Sequence, residues 1–354
     1  MASEISLEGN LLTSEGTNAV SVSFDQVITG IGQLDAADSV ISAGLIDTHT
    51  HGGGGFALSA DEDSFEALLA HGRAHGVART LLSTVSASAA AITKILSFAD
   101  KQVEQPGFLG IHLEGPFLAA ERCGAHKMSL LRDLTDEELS QMIEHPSLRA
   151  ITIAPERVST SQVERLVESG VRVAIGHTDA SYETAKEYFR AGASILTHAF
   201  NAMRPISSRS PGPVVAALDE GAWIELIADG VHVSPELCNN LARWAGERLL
   251  LVTDSMSAAA MPDGPYLLGD VKVEVAAGVA RRADDKTLAG STLTLDRAVK
   301  NLIDFGVTPG AAIRAATVAP AECFGLDVPA VEIGKPLEIA VWGRNMMVER
   351  LLLG

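Results

Sequence analysis

Short apolar segments alternate with longer amphipathic segments through most of the 354-residue chain. The apolar segments have the length of buried strands, and the amphipathic ones have the spacing of helices that cover a sheet. Several helical segments begin with a cap residue, such as Ser181 or Ser234, or with a proline in the first turn. We therefore predict strands at residues 44–51, 78–84, 108–114, 148–154, 171–177, 194–198, 223–228 and 249–254. Helices are predicted at residues 63–75, 89–102, 135–145, 161–169, 181–191, 213–220 and 235–245.

Strands that alternate with helices pair in parallel through crossover connections. Eight such units predict a closed (β/α)8 barrel of the TIM type, for which about 250 residues are typical. An open doubly wound sheet is the alternative, but no glycine-rich dinucleotide-binding sequence follows the first strand. After the eighth strand the pattern predicts a hairpin at 270–276 and 278–282, then helices at 293–305 and 309–316.

Both ends of the chain carry short strands with turn residues between them, at residues 5–12, 19–24, 26–31, 337–342 and 346–353. Two-stranded fragments are marginal alone, so we expect the two ends to complete one small β-sandwich domain. This domain is predicted at residues 1–43 plus 322–354, and the barrel domain at residues 44–321. The apolar run at 40–46 is interpreted as one buried strand that leads into the barrel.

The charge balance limits the classes of partner. The chain has 27 basic and 45 acidic residues, a formal net charge of -18. Nucleic acids and anionic membrane surfaces both require a basic face, so neither is expected as a partner. No basic region followed by an apolar stretch opens the chain, and no apolar run is long enough to span a bilayer. A small anionic substrate remains possible, because it needs only a local positive pocket.

Three widely spaced cysteines, Cys123, Cys238 and Cys323, form neither a CxxC pair nor a disulfide framework. This usage fits a reducing cytoplasm. Cys123 is interpreted as an ordinary loop thiol, with a transient ligand or a gate residue as the alternatives. No GxSxG sequence is present, so nothing indicates covalent catalysis through such an elbow.

The ends of the predicted strands carry the side chains that suggest chemistry. In barrels of this type the active groups lie at the carboxyl ends of the strands. Residues two apart in a strand point to the same face, so His49 and His51 project together, and four glycines follow them. The remaining strand ends contribute Glu114, His177, His198 and Asp254.

Imidazole and carboxylate groups together suit Zn²⁺ or a similar divalent ion. Two arrangements are compatible with these residues. In the first, Glu114 bridges two ions; in the second, Glu114, His177 and His198 hold a single ion and the His49–His51 pair is weakly occupied. A carboxylate near activated water can take its proton and return it to a leaving amine, which is the role predicted for Asp254. A metal ligand or a helix cap is the alternative for this residue.

Nine segments along the chain carry a resemblance to a known family. They are GLIDTHTHG (44–52), HLEGPF (112–117), GAH (124–126), APE (154–156), GHTDA (176–180), THAFNAM (197–203), DGVH (229–232), VTDS (252–255) and LAGS (288–291). In this order they resemble the amidohydrolase superfamily, and within it the family of N-acetylglucosamine-6-phosphate deacetylases. The HLEGPF and HAFNAM sequences are more specific than the His-x-His pair, which many amidohydrolases share.

The resemblance implies hydrolysis of the acetamide of N-acetyl-D-glucosamine 6-phosphate to D-glucosamine 6-phosphate and acetate. It also implies that Glu114, His177 and His198 hold the main metal, that Asp254 is the general base and acid, and that His232 lies near the substrate carbonyl. The presence of a His-x-His pair is similar to family members with two metals. The implied substrate contacts are Gly124, Ala125, His126, Asn201, Ala202, Arg209, His232, Leu288, Ala289 and Gly290.

Members of this family are dimers that share phosphate-binding groups across the interface. A homodimer is therefore expected, with Arg209 or His126 acting on the neighbouring subunit. Arginine suits the phosphate because its fork donates charge-assisted hydrogen bonds.

Three other functions compete with this prediction. The first is deacetylation of N-acetylgalactosamine 6-phosphate, or another metal-dependent amide hydrolysis on the same scaffold. The second is cyclic-amide hydrolysis with a modified lysine on strand four, but that strand ends in APE with no lysine. The third is a non-enzymatic scaffold, which would be expected to have lost some of the ligands that this chain retains.

Overall fold

The computed structural model describes residues 5–13 and 15–354. The strands are β1 (Ile5–Thr13), β2 (Gly16–Phe24), β3 (Ile28–Gln33), β4 (Val40–Ala43), β5 (Leu45–Thr50), β6 (Gly52–Gly53), β7 (Phe56–Ala57), β8 (Val77–Thr84), β9 (Phe108–Glu114), β10 (Leu148–Ile153), β11 (Arg172–Ile175), β12 (Ile195–Leu196), β13 (Trp223–Leu226), β14 (Leu249–Leu251), β15 (Gly264–Leu268), β16 (Val271–Ala276), β17 (Val279–Arg282), β18 (Glu338–Trp342) and β19 (Val348–Leu353). The α-helices are α1 (Glu62–Ala74), α2 (Ala89–Ala99), α3 (Asp136–Met142), α4 (Thr160–Glu168), α5 (Tyr182–Arg190), α6 (Gly212–Asp219), α7 (Pro235–Ala245), α8 (Leu295–Asp304), α9 (Pro309–Ala315) and α10 (Val318–Phe324).

Eight strands pair in the order β14-β13-β12-β11-β10-β9-β8-β5, and every pairing is parallel. The two edges of this sheet meet just beyond β14. There the Asp254 amide donates to the His49 carbonyl at 2.8 Å, and the His51 amide donates to the Ser255 carbonyl at 2.9 Å. The sheet is therefore nearly closed into a barrel, and the predicted (β/α)8 architecture is confirmed.

Several barrel strands are shorter than predicted at their carboxyl ends. β11 ends at Ile175, β12 at Leu196 and β14 at Leu251. Beyond them, His177, His198 and Asp254 have positive φ angles of 46, 25 and 47°. A residue in this conformation cannot continue a strand, and the rarity of such angles outside glycine makes them local strain. Three of the predicted site residues therefore lie in tight turns that begin where the strands stop.

The apolar run at 40–46, interpreted as one strand, is divided between two sheets at Gly44. β4 belongs to the sheet formed by the chain ends, whereas β5 is the first strand of the barrel. The backbone at Gly44 passes so close to β8 that a Cβ there would lie 2.6 Å from the Cβ of Ala78. Only glycine fits this close approach, which is why the chain changes sheets at this residue.

The chain ends form one six-stranded sheet in the order β19-β18-β4-β1-β2-β3. The sheet curls, because the Ile28 amide donates to Lys335 and the Leu337 amide donates to Gln26, at 3.0 and 3.1 Å. It encloses a core that includes Val22 and Ile339. The prediction that both ends build one small β-structure is confirmed, but the two layers expected of a sandwich belong to one continuous curled sheet.

Two of the elements that the sequence patterns did not predict, β15 and α10, contain proline. β15 adds a third strand to the predicted hairpin of β16 and β17, although Pro265 lies within it. As an edge strand, β15 tolerates a residue that lacks an amide donor. α10 contains Pro320 near its start, where a missing N–H costs little. No helix in the described part of the chain has both the length and the apolar character needed to cross a bilayer.

The glycine run after His51 packs directly against α1. A Cβ placed on Gly53 would overlap the ring of His71, which is part of α1. We predict that Gly53→Ala lowers the free energy of unfolding by about 1–3 kcal/mol, because the added methyl group overpacks a closed contact. Chemical denaturation measures this change.

The matched control is Gly30→Ala, since the nearest atom to an added Cβ there is 3.6 Å away. That substitution should leave the unfolding free energy unchanged or slightly increased, because alanine is the better strand residue. Equal stability losses in the two variants would contradict the packing argument.

Candidate metal centre and substrate cavity

The six predicted ligand and catalytic side chains converge at one mouth of the barrel. All are buried, with exposed fractions from 0% for His49 to 8% for Asp254. They are His49, His51, Glu114, His177, His198 and Asp254. The sheet order places the strands that carry them around a single ring, so residues distant in the chain become neighbours.

The first group of possible ligands consists of Glu114, His177 and His198. The Nε2 atoms of His177 and His198 lie 3.2 and 3.0 Å from the Glu114 Oε1 atom, and 3.1 Å from each other. Three donor atoms therefore face one small volume, as they do around a bound divalent ion.

The second group consists of His49, His51, Glu114 and Asp254. The Nε2 atom of His51 lies 3.2 Å from Glu114 Oε2 and 3.1 Å from Asp254 Oδ1. The Nε2 atom of His49 lies 3.3 Å from that of His51 and 3.5 Å from Asp254 Oδ1. Because Glu114 belongs to both groups, its two carboxylate oxygens are placed to serve two adjacent ions.

Hydrogen bonds on the outer side of two histidines select the ring nitrogen that faces the centre. The Nδ1 atom of His177 donates to the Arg122 carbonyl at 2.8 Å. The Nδ1 atom of His49 donates to Glu225 Oε2 at 3.0 Å. In the neutral form of each ring, Nε2 is therefore the nitrogen whose lone pair can bind a cation, an arrangement that is usual for metal-binding histidines.

The charges of the metal-free centre are strongly coupled. Burial alone would lower the pKa of His51, but hydrogen bonds with Asp254 and Glu114 outweigh it and raise the pKa to about 9. Burial likewise would raise the pKa of Asp254, but its hydrogen bond with His51 and the charge of His49 hold that pKa well below its usual range. Burial lowers the pKa of His177 to about 4 despite the opposing hydrogen bond with Glu114.

These observations show that the cluster can bind a metal. Buried imidazole and carboxylate groups at this spacing repel or protonate one another unless a cation compensates them. The donor set of nitrogen and carboxylate oxygen suits Zn²⁺ and similar ions.

A cavity of about 570 Å³ opens beside the cluster. Most of the predicted substrate contacts line it, together with the metal-facing side of the cluster. The lining includes Gly124, Ala125, His126, Asn201, Ala202, His232, Leu288 and Gly290. Ala289 is fully buried behind the lining, and Arg209 is exposed in the turn region after β12, outside the cavity of its own chain.

Two further histidines are oriented toward this cavity by hydrogen bonds. The Ser86 amide donates to His126 Nδ1 at 3.2 Å, and His126 Nε2 donates to Glu114 Oε2 at 3.1 Å. The Nδ1 atom of His232 donates to Asp229 Oδ2 at 2.6 Å. The His232 Nε2 atom is consequently the ring nitrogen left for a ligand in the cavity.

Sequence reasoning missed two charged residues of the site. Glu225 lies on β13, is 3% exposed and accepts from both the His49 ring and the His198 amide. An acidic residue within the apolar WIEL strand was the available signal, because buried carboxylates are rare without partners. Lys127 lines the cavity and lies 3.4 Å from Asp270 of the hairpin. It is the only lysine or arginine among the described lining residues, and no local pattern distinguished it.

Comparison with known proteins places this chain in a family. The profile of the amidohydrolase family matches residues 40–352. The chain therefore belongs to the amidohydrolase family.

Its relatives narrow the class further. The chain is 35% identical over 362 residues to an N-acetylgalactosamine-6-phosphate deacetylase of Escherichia coli O157:H7, covering 96% of this chain and 95% of that protein. It is 35% identical to an N-acetylglucosamine-6-phosphate deacetylase of Vibrio furnissii, covering 87% and 80%. A solved structure of a mutant N-acetyl-D-glucosamine-6-phosphate deacetylase of Mycobacterium smegmatis, in complex with N-acetyl-D-glucosamine-6-phosphate, has a TM-score of 0.94 and 34% identity, covering 99% and 98%.

The raised pKa of His51 generates a prediction for metal binding. In the metal-free protein its imidazole holds a proton at pH 7, because its pKa is about 9. An ion that uses His51 must displace that proton, so its affinity should rise at least about tenfold per pH unit between pH 7 and 9. The pKa of His49 is also raised, because the lowering effect of burial is outweighed by the charges of Glu225 and Glu114, so its proton adds to the dependence. Calorimetric titration of metal-free protein with Zn²⁺, in buffers of different ionisation enthalpy, counts the protons released.

The variant His51→Asn provides the control, since it removes one titrating ring and leaves His49 in place. Its Zn²⁺ affinity should rise less steeply over the same pH range, with one proton fewer released on binding. A wild-type affinity that stays constant from pH 7 to 9 would show that His51 carries no proton that metal must displace.

Proposed function

We propose that this protein hydrolyses the acetamide of N-acetyl-D-glucosamine 6-phosphate, releasing D-glucosamine 6-phosphate and acetate. The observation that carries the proposal is the position of Asp254. Its carboxylate belongs to one of the two groups of candidate metal ligands and also lines the cavity. The family membership and the names of the relatives support the same reaction. The activity belongs to amino sugar metabolism, and we propose a cytoplasmic location from the cysteine usage.

We assign the main metal site to Glu114, His177 and His198, and a second site to His49 and His51 with Glu114 shared. Zn²⁺ is the ion we propose. An ion held there supplies the Lewis acidity that lets water lose a proton near neutral pH. The remaining chemistry belongs to residues of the chain.

Asp254 is proposed as the group that moves the proton. Its lowered pKa keeps the carboxylate ionised at neutral pH, and its position at the edge of the cavity beside the proposed metal ligands places it to accept a proton from water. Attack of that water on the acetamide carbon forms a C–O bond and a tetrahedral centre. Collapse of this centre breaks the C–N bond while the same proton passes from Asp254 to the leaving amine, releasing acetate and the amino sugar. His232, oriented by Asp229, donates from Nε2 to the carbonyl oxygen when its ring carries a proton on both nitrogens, and so stabilises the negative charge that develops there.

The cavity lining supports the placement of the sugar phosphate. We propose that Asn201 and Ala202 contact the phosphate and sugar, with Gly124, Ala125, His126 and the segment Leu288–Gly290 around the ring. Because Arg209 is exposed outside its own cavity, we propose that it reaches the phosphate of a neighbouring subunit in a homodimer. The domain division at 1–43 plus 322–354 and at 44–321 also remains a proposal.

Asp254→Asn tests the proton-transfer role. The amide side chain keeps the shape of the carboxylate but cannot accept the proton, so kcat should fall by at least about 100-fold. Metal content, measured by mass spectrometry, should stay near the wild-type value because Glu114, His177 and His198 are unchanged. Near-normal turnover in this variant would remove Asp254 from the mechanism.

Arg209→Ala tests the phosphate contact. The variant should lose much more kcat/KM on N-acetyl-D-glucosamine 6-phosphate than on unphosphorylated N-acetyl-D-glucosamine, because the guanidinium pairs only with the phosphate. Lys127→Ala is the comparison variant, because it removes a cationic side chain that lines the cavity of its own chain. Equal losses on the two substrates after Arg209→Ala would end the phosphate assignment.

The second candidate substrate is N-acetyl-D-galactosamine 6-phosphate. The observation that favours it is the E. coli O157:H7 relative, which matches over 96% of this chain. The two sugars differ only at the 4-hydroxyl, and a site that hydrogen-bonds that group discriminates between them. Values of kcat/KM for the two sugar phosphates show which of them is the preferred substrate. If neither sugar phosphate were hydrolysed, the deacetylase proposal would be overturned.

A further inference from the structure

Asp179 lies two residues after His177 and joins two loops that are far apart in the chain. Its Oδ1 atom accepts hydrogen bonds from Nε and Nη2 of Arg122, at 2.9 and 2.7 Å. Its Oδ2 atom accepts one from Nη2 of Arg204, at 2.6 Å. A single carboxylate is thus shared by two guanidinium groups, the strong charge-assisted arrangement.

The Arg122 loop touches the metal centre through its backbone. The Arg122 carbonyl accepts from His177 Nδ1 at 2.8 Å, and this bond leaves His177 Nε2 unprotonated toward Glu114. The loop also lies close to the same ring, because a Cβ on Gly124 would be 3.0 Å from His177 Cε1. Any displacement of Arg122 would therefore release the outer hydrogen bond of a proposed ligand.

The Arg204 loop contains the turn that follows β12. Phe200 and Ala202 in this turn have positive φ angles of 75 and 48°. Such conformations persist only where the surroundings hold them. Arg204 supplies two anchors, since its amide donates to the Thr178 carbonyl at 3.1 Å and its side chain donates to Asp179.

Asp179 is itself fixed to the end of a third strand. Its amide donates to Glu156 Oε1 at 2.7 Å, and the Thr178 hydroxyl donates to Glu156 Oε2 at 2.8 Å. The carboxylate therefore stands on a rigid base that spans the ends of β10 and β11.

We propose that Asp179 is a positioning residue with two separable effects. Through Arg122 it fixes the metal-facing nitrogen of His177, and through Arg204 it holds the turn that carries Asn201 and Ala202 at the cavity. This inference rests on the proposed metal-dependent function. It adds that the ion pairs of Asp179 affect both the affinity for the metal and the affinity for the substrate.

Asp179→Asn in the full chain tests the link. The amide preserves the size but removes the charge that both arginines share, and it leaves one acceptor oxygen where the carboxylate had two. Metal-free variant and wild type are titrated with Zn²⁺ against a competing chelator, without any substrate. Losing an outer partner of a metal-binding histidine costs about 10–100-fold in metal affinity. Here the Arg122 carbonyl is displaced and not removed, so the variant should bind Zn²⁺ about tenfold more weakly, at the lower end of that range.

Glu220→Gln is the matched control. Glu220 also bridges two cations, Lys186 at 3.3 Å and Arg190 at 3.0 Å, but it follows α6 and contacts neither loop. Its loss should leave the Zn²⁺ affinity within about twofold of wild type. A Zn²⁺ affinity of Asp179→Asn equal to that of Glu220→Gln would overturn the proposal.

Two further variants separate the effects and decide the matter if Asp179→Asn does not fold. Arg122→Gln should weaken Zn²⁺ binding, whereas Arg204→Gln should preserve it and raise KM for the sugar phosphate with little change in kcat. A merely structural contact would lower the melting temperature of both variants without this division. If both variants keep wild-type Zn²⁺ affinity and KM, the proposal is wrong.

The Zn²⁺ titration also separates a failure of the proposed deacetylase function from a failure of the Asp179 proposal. A wild-type protein that binds Zn²⁺ tightly but hydrolyses neither sugar phosphate would refute the proposed function. The titration of Asp179→Asn would still show whether Asp179 supports the metal centre.

Discussion

One buried carboxylate is the interaction on which the site depends. Glu114 is 3% exposed, and five histidine Nε2 atoms lie 3.0–3.6 Å from its oxygens. A charge taken out of water costs several kcal/mol unless it is paired, so this carboxylate requires its imidazoles or a cation. The histidines in turn come from the ends of different barrel strands and from one loop: His49, His51, His126, His177 and His198. Closure of the barrel is therefore what brings these histidines to the Glu114 carboxylate.

This arrangement requires strained backbone conformations at three strand ends. His177, His198 and Asp254 all have positive φ angles, at the points where their strands end. Such angles turn each side chain toward the barrel axis instead of continuing the sheet. The strain is offset by contacts that lie outside the ring of ligands, including Glu225 beneath the histidines and Asp179 between the two arginines. Rigidity at the rim is what allows the donor atoms to be preorganised for a cation.

Much of the fold and of the rim could be predicted from the sequence. Alternating strand and helix patterns depend on local periodicity, and the rule that barrel sites lie at strand ends converts that pattern into a list of residues. His49, His51, Glu114, His177, His198 and Asp254 were found in this way, and the structure brings them together. The resemblance to amidohydrolases added the lining segments around Asn201 and Leu288.

The rest depends on contacts that no local pattern records. Gly44 divides an apolar run between two sheets only because Ala78 lies beneath it. In the sequence, Glu225 is an isolated charge within an apolar strand. Its partner, the ring of His49, is brought to it only by the fold. Asp179 and Arg204 are 25 positions apart, and their ion pair exists only because two strand ends are neighbours in the barrel. Arg209 was predicted at the phosphate, yet it is exposed and lies outside the cavity of its own chain.

The central claim is that Glu114 serves both groups of ligands at once. Metal stoichiometry of purified Glu114→Gln, measured by mass spectrometry after equilibrium dialysis against Zn²⁺, tests it most directly. The account predicts two Zn²⁺ ions per wild-type chain and loss of tight binding at both sites in the variant, because a single neutral amide cannot replace a carboxylate shared by two ions. A variant that retains two tightly bound ions would contradict it.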